Sequence, residues 1–235
     1  MGLLAWGRDK LGWGSSGPEL PISEVRFTAL DTELTGLDER RDDIVSIGAL
    51  HMQGGLIELG GSFQVLVNPK ATLDGTTVLI HGITPSEVEA MPGIDSVLAA
   101  FMDYAAGTVL LGHCLSIDLA FLGRDAKRLT GMRYRPVAVD TLALYGWLRQ
   151  RETGHPAFSL AATGLSLFDL AAAFGIHVEE AHSAIGDAYV TAQFFQRLLP
   201  FLQEAGIQDL QALRRVGNPQ RPTANLAAAE GQAHF

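Results

Sequence analysis

Residues 25–33, VRFTALDTE, decide the architecture, because they predict a strand that is apolar at its start and acidic at its end. Side chains alternate between the two faces of a strand, so Val25, Phe27, Ala29, Asp31 and Glu33 share one face. Two carboxylates that point toward a core need a cation or strong hydrogen-bond donors to remain ionised. Taken alone, the pair is equally consistent with a strand that simply ends in solvent.

Strand and helix signals after this segment predict an α/β fold. Residues 43–52 and 57–68 have the pattern of two more strands, separated by Gly54-Gly55, which predicts an antiparallel three-stranded meander. From the capping box at residues 84–87, Thr-Pro-Ser-Glu, helices alternate with short strands. We expect helices at 94–106, 119–130, 141–149, 166–174 and 183–199, and strands at 108–112 and 137–139. This order of elements predicts a mixed sheet that consists of the antiparallel meander and additional parallel strands, with helices on its faces.

Length and composition favour one globular domain with tails. We predict an N-terminal extension at 1–21, a domain at 22–215 and a flexible tail at 216–235. The 235 residues carry a formal net charge of −9, which argues against a broad basic surface for nucleic acid. One cysteine, Cys114, excludes a disulfide framework and a Cys-rich zinc site. No apolar stretch is long enough for a membrane span, so we expect a cytoplasmic protein without membrane contact.

Further polar residues lie at the edges of predicted elements. Asp118 stands at the start of a helix, and Asp187 lies one turn into the last helix, five residues after His182. Each has an ordinary structural explanation as a helix-terminal acid or a loop histidine. Together with Asp31 and Glu33, the set suits two hard divalent cations, Mg²⁺ or Mn²⁺, and a histidine base near neutral pH. That chemistry is phosphodiester hydrolysis.

Three segments give a specific resemblance: DTELTG (31–36), GHCLSIDLAFL (112–122) and AHSAIGDAYVT (181–191). In this order and spacing they resemble the motifs of the DEDDh 3′–5′ exonuclease family, to which the epsilon proofreading subunit of bacterial DNA polymerase III belongs. The resemblance covers residues 25–200. It implies a ribonuclease H-like exonuclease fold and hydrolysis of nucleotides from a 3′ end.

The resemblance also implies a role for individual residues. Asp31, Glu33 and Asp187 would hold the first metal ion, Asp31 and Asp118 the second, and His182 would be the general base. The residues implied as contacts of the terminal nucleotide are Thr32, Leu34, Thr35, Gly36, His81, Ile83 and Phe121, with Leu37 beside the base. The chain departs from the family at Cys114, where Asn is common, and at Ile117, where an aromatic residue is common.

Several alternatives remain open at this stage. The expected substrate is the 3′ end of single-stranded DNA, with RNA as the alternative. A second class of function is an accessory module that binds a polymerase or repair partner, and a homodimer is also consistent with the family. The basic residues after the first and second motifs are either a phosphate-binding rim or solvated charges: Arg40, Arg41, Arg124, Lys127 and Arg128.

Overall fold

The computed structural model describes residues 20–151, 154, 156–158, 164–178 and 181–220. The N-terminal extension, except for its last two residues, and the tail beyond residue 220 lie outside these ranges, so the domain bounds stay a prediction. None of the helices in the described ranges is long and apolar enough to cross a bilayer.

The described chain forms six strands and eight α-helices. In order they are β1 (Arg26–Leu34), β2 (Ile44–Gln53), β3 (Leu56–Ile57), β4 (Phe63–Leu66), α1 (Gly75–His81), α2 (Pro85–Val88), α3 (Ile94–Tyr104), β5 (Val109–Gly112), α4 (Ser116–Thr130), β6 (Ala138–Asp140), α5 (Thr141–Arg149), α6 (Leu167–Ala173), α7 (Ala184–Glu204) and α8 (Leu210–Val216). Single turns of 3-10 helix lie at Ile22–Glu24 and Pro156–Phe158.

All six strands belong to one mixed sheet, as the sequence predicts. The strand order is β3-β2-β1-β5-β6, and β4 also pairs with β2. The pairs among β1 to β4 are antiparallel, whereas β5 is parallel to β1 and β6 is parallel to β5. The carboxyl ends of β1 and β5 therefore lie at the same edge of the sheet, and the acidic end of β1 is at that edge.

The alternation along β1 builds a core on each face of the sheet. Phe27 and Ala29 pack with α5 to α8 on one face, whereas Leu30 packs with α3 and α4 on the other. Asp31 and Glu33 continue the face of Phe27 and Ala29, which is the face that α7 covers. The predicted apolar-to-acidic strand face is confirmed.

Gly48 allows the start of α7 to approach the sheet next to Asp31. Gly48 is the cross-strand partner of Asp31 in the β1–β2 pair. A Cβ atom at Gly48 would lie 2.2 Å from the carbonyl carbon of Ala184 and 2.2 Å from the backbone nitrogen of Ile185. Real Cβ atoms do not come this close to backbone atoms, so only glycine permits this position of α7.

The structure corrects three predicted elements. The single strand expected at 57–68 is two short strands, because Gly60-Gly61 interrupts it and Gly61 has φ = 77°, which a β-strand does not allow. Helix α1 was not predicted, although Asp74 caps it by accepting the N–H groups of Thr76 and Thr77. Helix α7 continues five residues past the predicted end at 199 and includes Pro200.

We expect Gly48→Ala to lower the free energy of unfolding by about 1–3 kcal/mol, because the methyl group must displace the backbone of α7. Gly123→Ala is the matched control, since its Cβ would meet nothing within 4 Å in the middle of α4. That control should be neutral or stabilising by up to about 1 kcal/mol. Urea unfolding of both variants checks this, and equal stability of the two would contradict the close approach.

Candidate active site

Three carboxylates from two distant parts of the chain converge at the end of β1. Asp31, Glu33 and Asp187 each offer an oxygen, and these oxygens all lie within 4.8 Å of one another. The first two come from β1 and the third from the first turn of α7. The structure therefore brings together three of the four predicted acidic residues in one group.

Asp118 lies beside this group and is held by Thr32. The Thr32 hydroxyl donates a hydrogen bond of 2.6 Å to Oδ1 of Asp118, and both side chains are buried. Thr32 points to the opposite strand face from Asp31 and Glu33, toward the layer of α4. Its hydroxyl, which the sequence assigned to nucleotide contact, is thus engaged in positioning the carboxylate of Asp118.

Burial raises the pKa values of these four acids, and the charges of neighbouring site acids raise those of Asp31 and Glu33 further. Burial is the largest cause for all four, and it raises the pKa of Glu33, Asp118 and Asp187 to about 7. The pKa of Asp31 is raised well above its usual range by burial and then by the charges of Asp118, Asp187 and Glu33. Hydrogen bonds from Thr32 to Asp118, and from backbone N–H groups to Asp187, act in the opposite direction. In the absence of a cation, the group therefore still holds part of its protons at neutral pH.

The donor set fits a divalent cation. All candidate donors are carboxylate oxygens, which Mg²⁺ and Mn²⁺ prefer. Oδ1 of Asp187 is buried and has no hydrogen-bond partner within the described ranges, so it is available as a ligand. The mutual repulsion that raises the pKa of Asp31 is the interaction that a bound cation would remove.

His182 occupies a strained backbone position next to Asp187. Its φ is 63°, in the left-handed region that residues other than glycine, asparagine and aspartate seldom adopt. The backbone N–H groups of His182 and Ser183 face the Asp187 carboxylate and lower its pKa, which partly offsets the effect of burial. The imidazole packs edge-to-face on Phe168, with 5.0 Å between ring centroids. The left-handed backbone at His182 thus places its imidazole against Phe168 and its N–H group near the Asp187 carboxylate.

His81 lies close to His182, as expected if both border the site. Burial lowers the pKa of His81, and the neighbouring His182 lowers it further. Nδ1 of His81 accepts the backbone N–H of Ile83 at 3.0 Å. Its Nε2 is buried and lacks a partner among the described residues, which leaves this nitrogen available to a ligand.

The remaining predicted nucleotide contacts differ in what they can offer. Leu34 and Gly36 are partly exposed at the end of β1, whereas Thr35 is buried and donates to Oδ1 of Asp42. The predicted contact of Phe121 with the nucleotide is wrong. Phe121 is 1% exposed, because its ring packs from α4 into the core with α3 and the sheet. A base has no access to that ring, so we do not retain Phe121 among the substrate contacts.

The structure also identifies residues that position the site without being predicted to do so. Asp140 is buried and accepts the N–H of Leu115 at 2.8 Å while capping α5, which ties the start of α4 to the sheet. Cys114 has φ = 53°, so it occupies a left-handed position. Asparagine tolerates this conformation better than most residues. The backbone at position 114 therefore suits the asparagine that is common there in the family.

Comparison with known proteins agrees with this geometry. The profile of a protein family described as "Exonuclease" matches residues 28–195, which include all five predicted catalytic residues. The chain belongs to this exonuclease family. The predicted resemblance to DEDDh exonucleases is confirmed, as is the mixed-sheet fold.

Two relatives show how the chain compares with longer and shorter family members. It is 35% identical over 210 residues to a DNA polymerase III subunit epsilon-like protein of Rhodobacter capsulatus, matching 87% of this chain but 28% of that protein. It is 28% identical over 191 residues to DNA polymerase III subunit epsilon of Aquifex aeolicus, matching 81% of this chain and 89% of that protein. The chain thus spans less than a third of the Rhodobacter relative.

Solved structures with the same fold include two exonucleases in complex with DNA. Escherichia coli Exonuclease I with a dT13 oligonucleotide aligns at a TM-score of 0.65 and 20% identity, covering 77% of this chain and 42% of that one. Exonuclease X with a 5′-overhanging duplex aligns at 0.56 and 21% identity, covering 82% and 99%. At these identities the likeness establishes the fold.

The raised pKa values predict how the stability of metal-free protein depends on pH. In the folded state Glu33, Asp118 and Asp187 keep their protons up to about pH 7, whereas in the unfolded chain carboxyls lose them near pH 4. The folded state binds more protons between these values, so the free energy of unfolding falls as pH rises through this window. Mn²⁺ should restore stability, and more strongly at about pH 8 than at about pH 5.5.

Thermal unfolding in chelator and in Mn²⁺ at both pH values measures this effect. Asp187→Asn should reduce both the pH dependence and the shift with Mn²⁺, because it removes one repelling charge and one ligand. Asp103→Asn, on the exposed face of α3, is the matched control and should behave as wild type. A shift with Mn²⁺ that is the same at both pH values would contradict the raised pKa values.

Proposed function

We propose that this chain is a divalent-metal-dependent 3′–5′ exonuclease domain that removes nucleotides from single-stranded DNA. The observation that carries the proposal is the convergence of Asp31, Glu33 and Asp187, with Asp118 beside them, at one end of the sheet. Membership of the exonuclease family supports the reaction class. In this proposal Asp31, Glu33 and Asp187 hold one cation, and Asp31 and Asp118 a second.

Bound divalent cations would supply Lewis-acid stabilisation of the negative charge that develops on the phosphate and the leaving oxygen. The chain's own residues perform the remaining tasks. The imidazole of His182 takes a proton from the attacking water as the new P–O bond forms. The P–O3′ bond breaks, O3′ of the shortened strand gains a proton, and a nucleoside 5′-monophosphate leaves. Phe168 and the left-handed backbone at His182 orient the base before the substrate arrives.

DNA is the favoured substrate because the structural neighbours include an exonuclease bound to a dT13 oligonucleotide. The names of the relatives support a polymerase as partner, in keeping with the predicted polymerase or repair partner. The homodimer and the cytoplasmic location stay predictions.

We expect metal-stripped protein to leave a 5′-labelled single-stranded DNA oligomer intact and to shorten it from the 3′ end when Mg²⁺ or Mn²⁺ is added. Asp31→Asn should abolish the ladder, because Asp31 contributes to both proposed cation sites, whereas Asp103→Asn should keep it. Chromatography of the products should show nucleoside 5′-monophosphates. No ladder on DNA or on a matched RNA oligomer would refute the proposed activity, and a ladder on RNA alone would reverse the substrate preference.

The test of His182 needs a substitution that keeps the backbone conformation. Asparagine and glycine adopt positive φ with little cost, whereas alanine would add backbone strain to the loss of the imidazole. We expect His182→Asn and His182→Gly to lower turnover by about 10²–10⁴-fold, while Mn²⁺ still raises the thermal midpoint. Turnover close to wild type in either variant would show that His182 is not the base.

A further inference from the structure

We propose that Arg124 is a positioning residue that joins two segments bordering the terminal-nucleotide site: residues 35–43 after β1 and residues 69–83, which lead into and through α1. The inference deepens the proposed function and rests on it for the identity of the ligand. It concerns a residue that the sequence leaves open between a phosphate contact and a solvated charge.

The guanidinium of Arg124 holds the first segment by its backbone and by one side chain. Its Nη1 donates to the carbonyl oxygens of Glu39 and Asp42, at 2.7 and 2.5 Å. Its Nη2 donates to Oδ1 of Asp43 at 3.1 Å. The segment that follows the predicted nucleotide contacts Thr35 and Gly36 is therefore fixed to α4 at three points.

Asp43 extends the connection to the second segment. Its other oxygen, Oδ2, accepts the backbone N–H groups of Lys70 and Ala71, at 2.9 and 2.8 Å. Residues 69–74 continue directly into α1, which ends at His81. One carboxylate thus bridges the guanidinium and the start of the segment that carries His81 and Ile83.

Helix α1 depends on this connection because it lacks a hydrophobic anchor. Within the part of the chain that the structure describes, no residue of α1 is buried, and Leu79 is 87% exposed. A helix of this length gains little stability from its own hydrogen bonds. Polar contacts at its N-terminal flank therefore contribute a large share of what fixes its position.

Arg124 is itself held in place by ion pairs within α4. It pairs with buried Asp125 through Nε at 3.2 Å and through Nη2 at 2.8 Å. Asp125 also pairs with Arg128, which in turn pairs with exposed Asp95. Both arginines are engaged in ion pairs, which argues against the interpretation of Arg124 and Arg128 as a free phosphate-binding rim.

Only a planar group with several donors can make all of these contacts. Arginine presents five N–H donors in a fixed fork, whereas the lysine ammonium is a compact charge with three donors. Lysine at 124 would keep the charge but reach fewer of these acceptors. Asparagine at 43 has a single acceptor oxygen, so it can serve Arg124 or the N–H groups of residues 70–71, but not both.

The experiment compares Arg124→Lys and Asp43→Asn with Arg128→Lys in the full chain. Arg128 shares the partner Asp125 but contacts neither segment, so its variant controls for lost stability alone. We expect both test variants to raise KM for a short single-stranded DNA by about tenfold, the equivalent of one lost charged hydrogen bond, with kcat within about twofold. Arg128→Lys should leave KM unchanged. The shift in thermal midpoint with Mn²⁺ should persist in all three.

Hydrogen–deuterium exchange provides a readout that does not require activity. Both test variants should increase amide exchange in 36–43 and in 70–83 together, and Arg128→Lys should not. Faster exchange in one segment only, or an equal rise of KM in Arg128→Lys, would overturn the coupling. If the wild type cleaves neither DNA nor RNA, the proposed function fails, while the exchange pattern still decides whether Arg124 joins the two segments.

Discussion

The burial of four carboxylates close together at one end of a sheet is the constraint on which the rest of this structure depends. Burial raises the free energy of the ionised form of each acid, and the charges of the other three raise that of ionised Asp31 further. The protein tolerates the arrangement by keeping protons on these groups near neutral pH or by exchanging them for a cation. A bound cation balances the charge of the ionised carboxylates, so the burial and repulsion that disfavour the ionised metal-free site no longer oppose it once the protons are displaced.

The surrounding scaffold serves to hold these charges in place. Gly48 lacks the Cβ atom that would keep the start of α7, and hence Asp187, away from Asp31. Thr32 fixes Asp118 from the opposite face of the same strand, and Asp140 fixes the start of α4. The left-handed residue His182 supplies both an imidazole and a backbone donor. Gly48, Thr32 and the strained backbone at His182 thus all lie next to the buried carboxylates, and strained backbone is common at functional sites.

The parts of this account that sequence could predict are those with a local or periodic signal. Alternation in residues 25–33 identifies the acidic strand face, and the three motifs identify Asp118, His182 and Asp187. The failures have physical reasons. Helix α1 has no buried face and therefore no hydrophobic period, and the burial of Phe121 depends on tertiary packing that residue type does not reveal. The contacts of Arg124 join residues more than 80 positions apart, and no local pattern signals them.

The central claim is that buried carboxyl groups, which hold protons because burial and repulsion disfavour their ionised forms, exchange those protons for a divalent cation. Titration of Mn²⁺ into metal-free protein in weakly buffered solution at about pH 6.5, with a pH indicator to count released protons, tests it directly. The pKa values of about 7 for Glu33, Asp118 and Asp187 predict saturable binding with at least one proton released per protein, and less release in Asp187→Asn. Saturable binding without proton release, or no binding, would contradict the account.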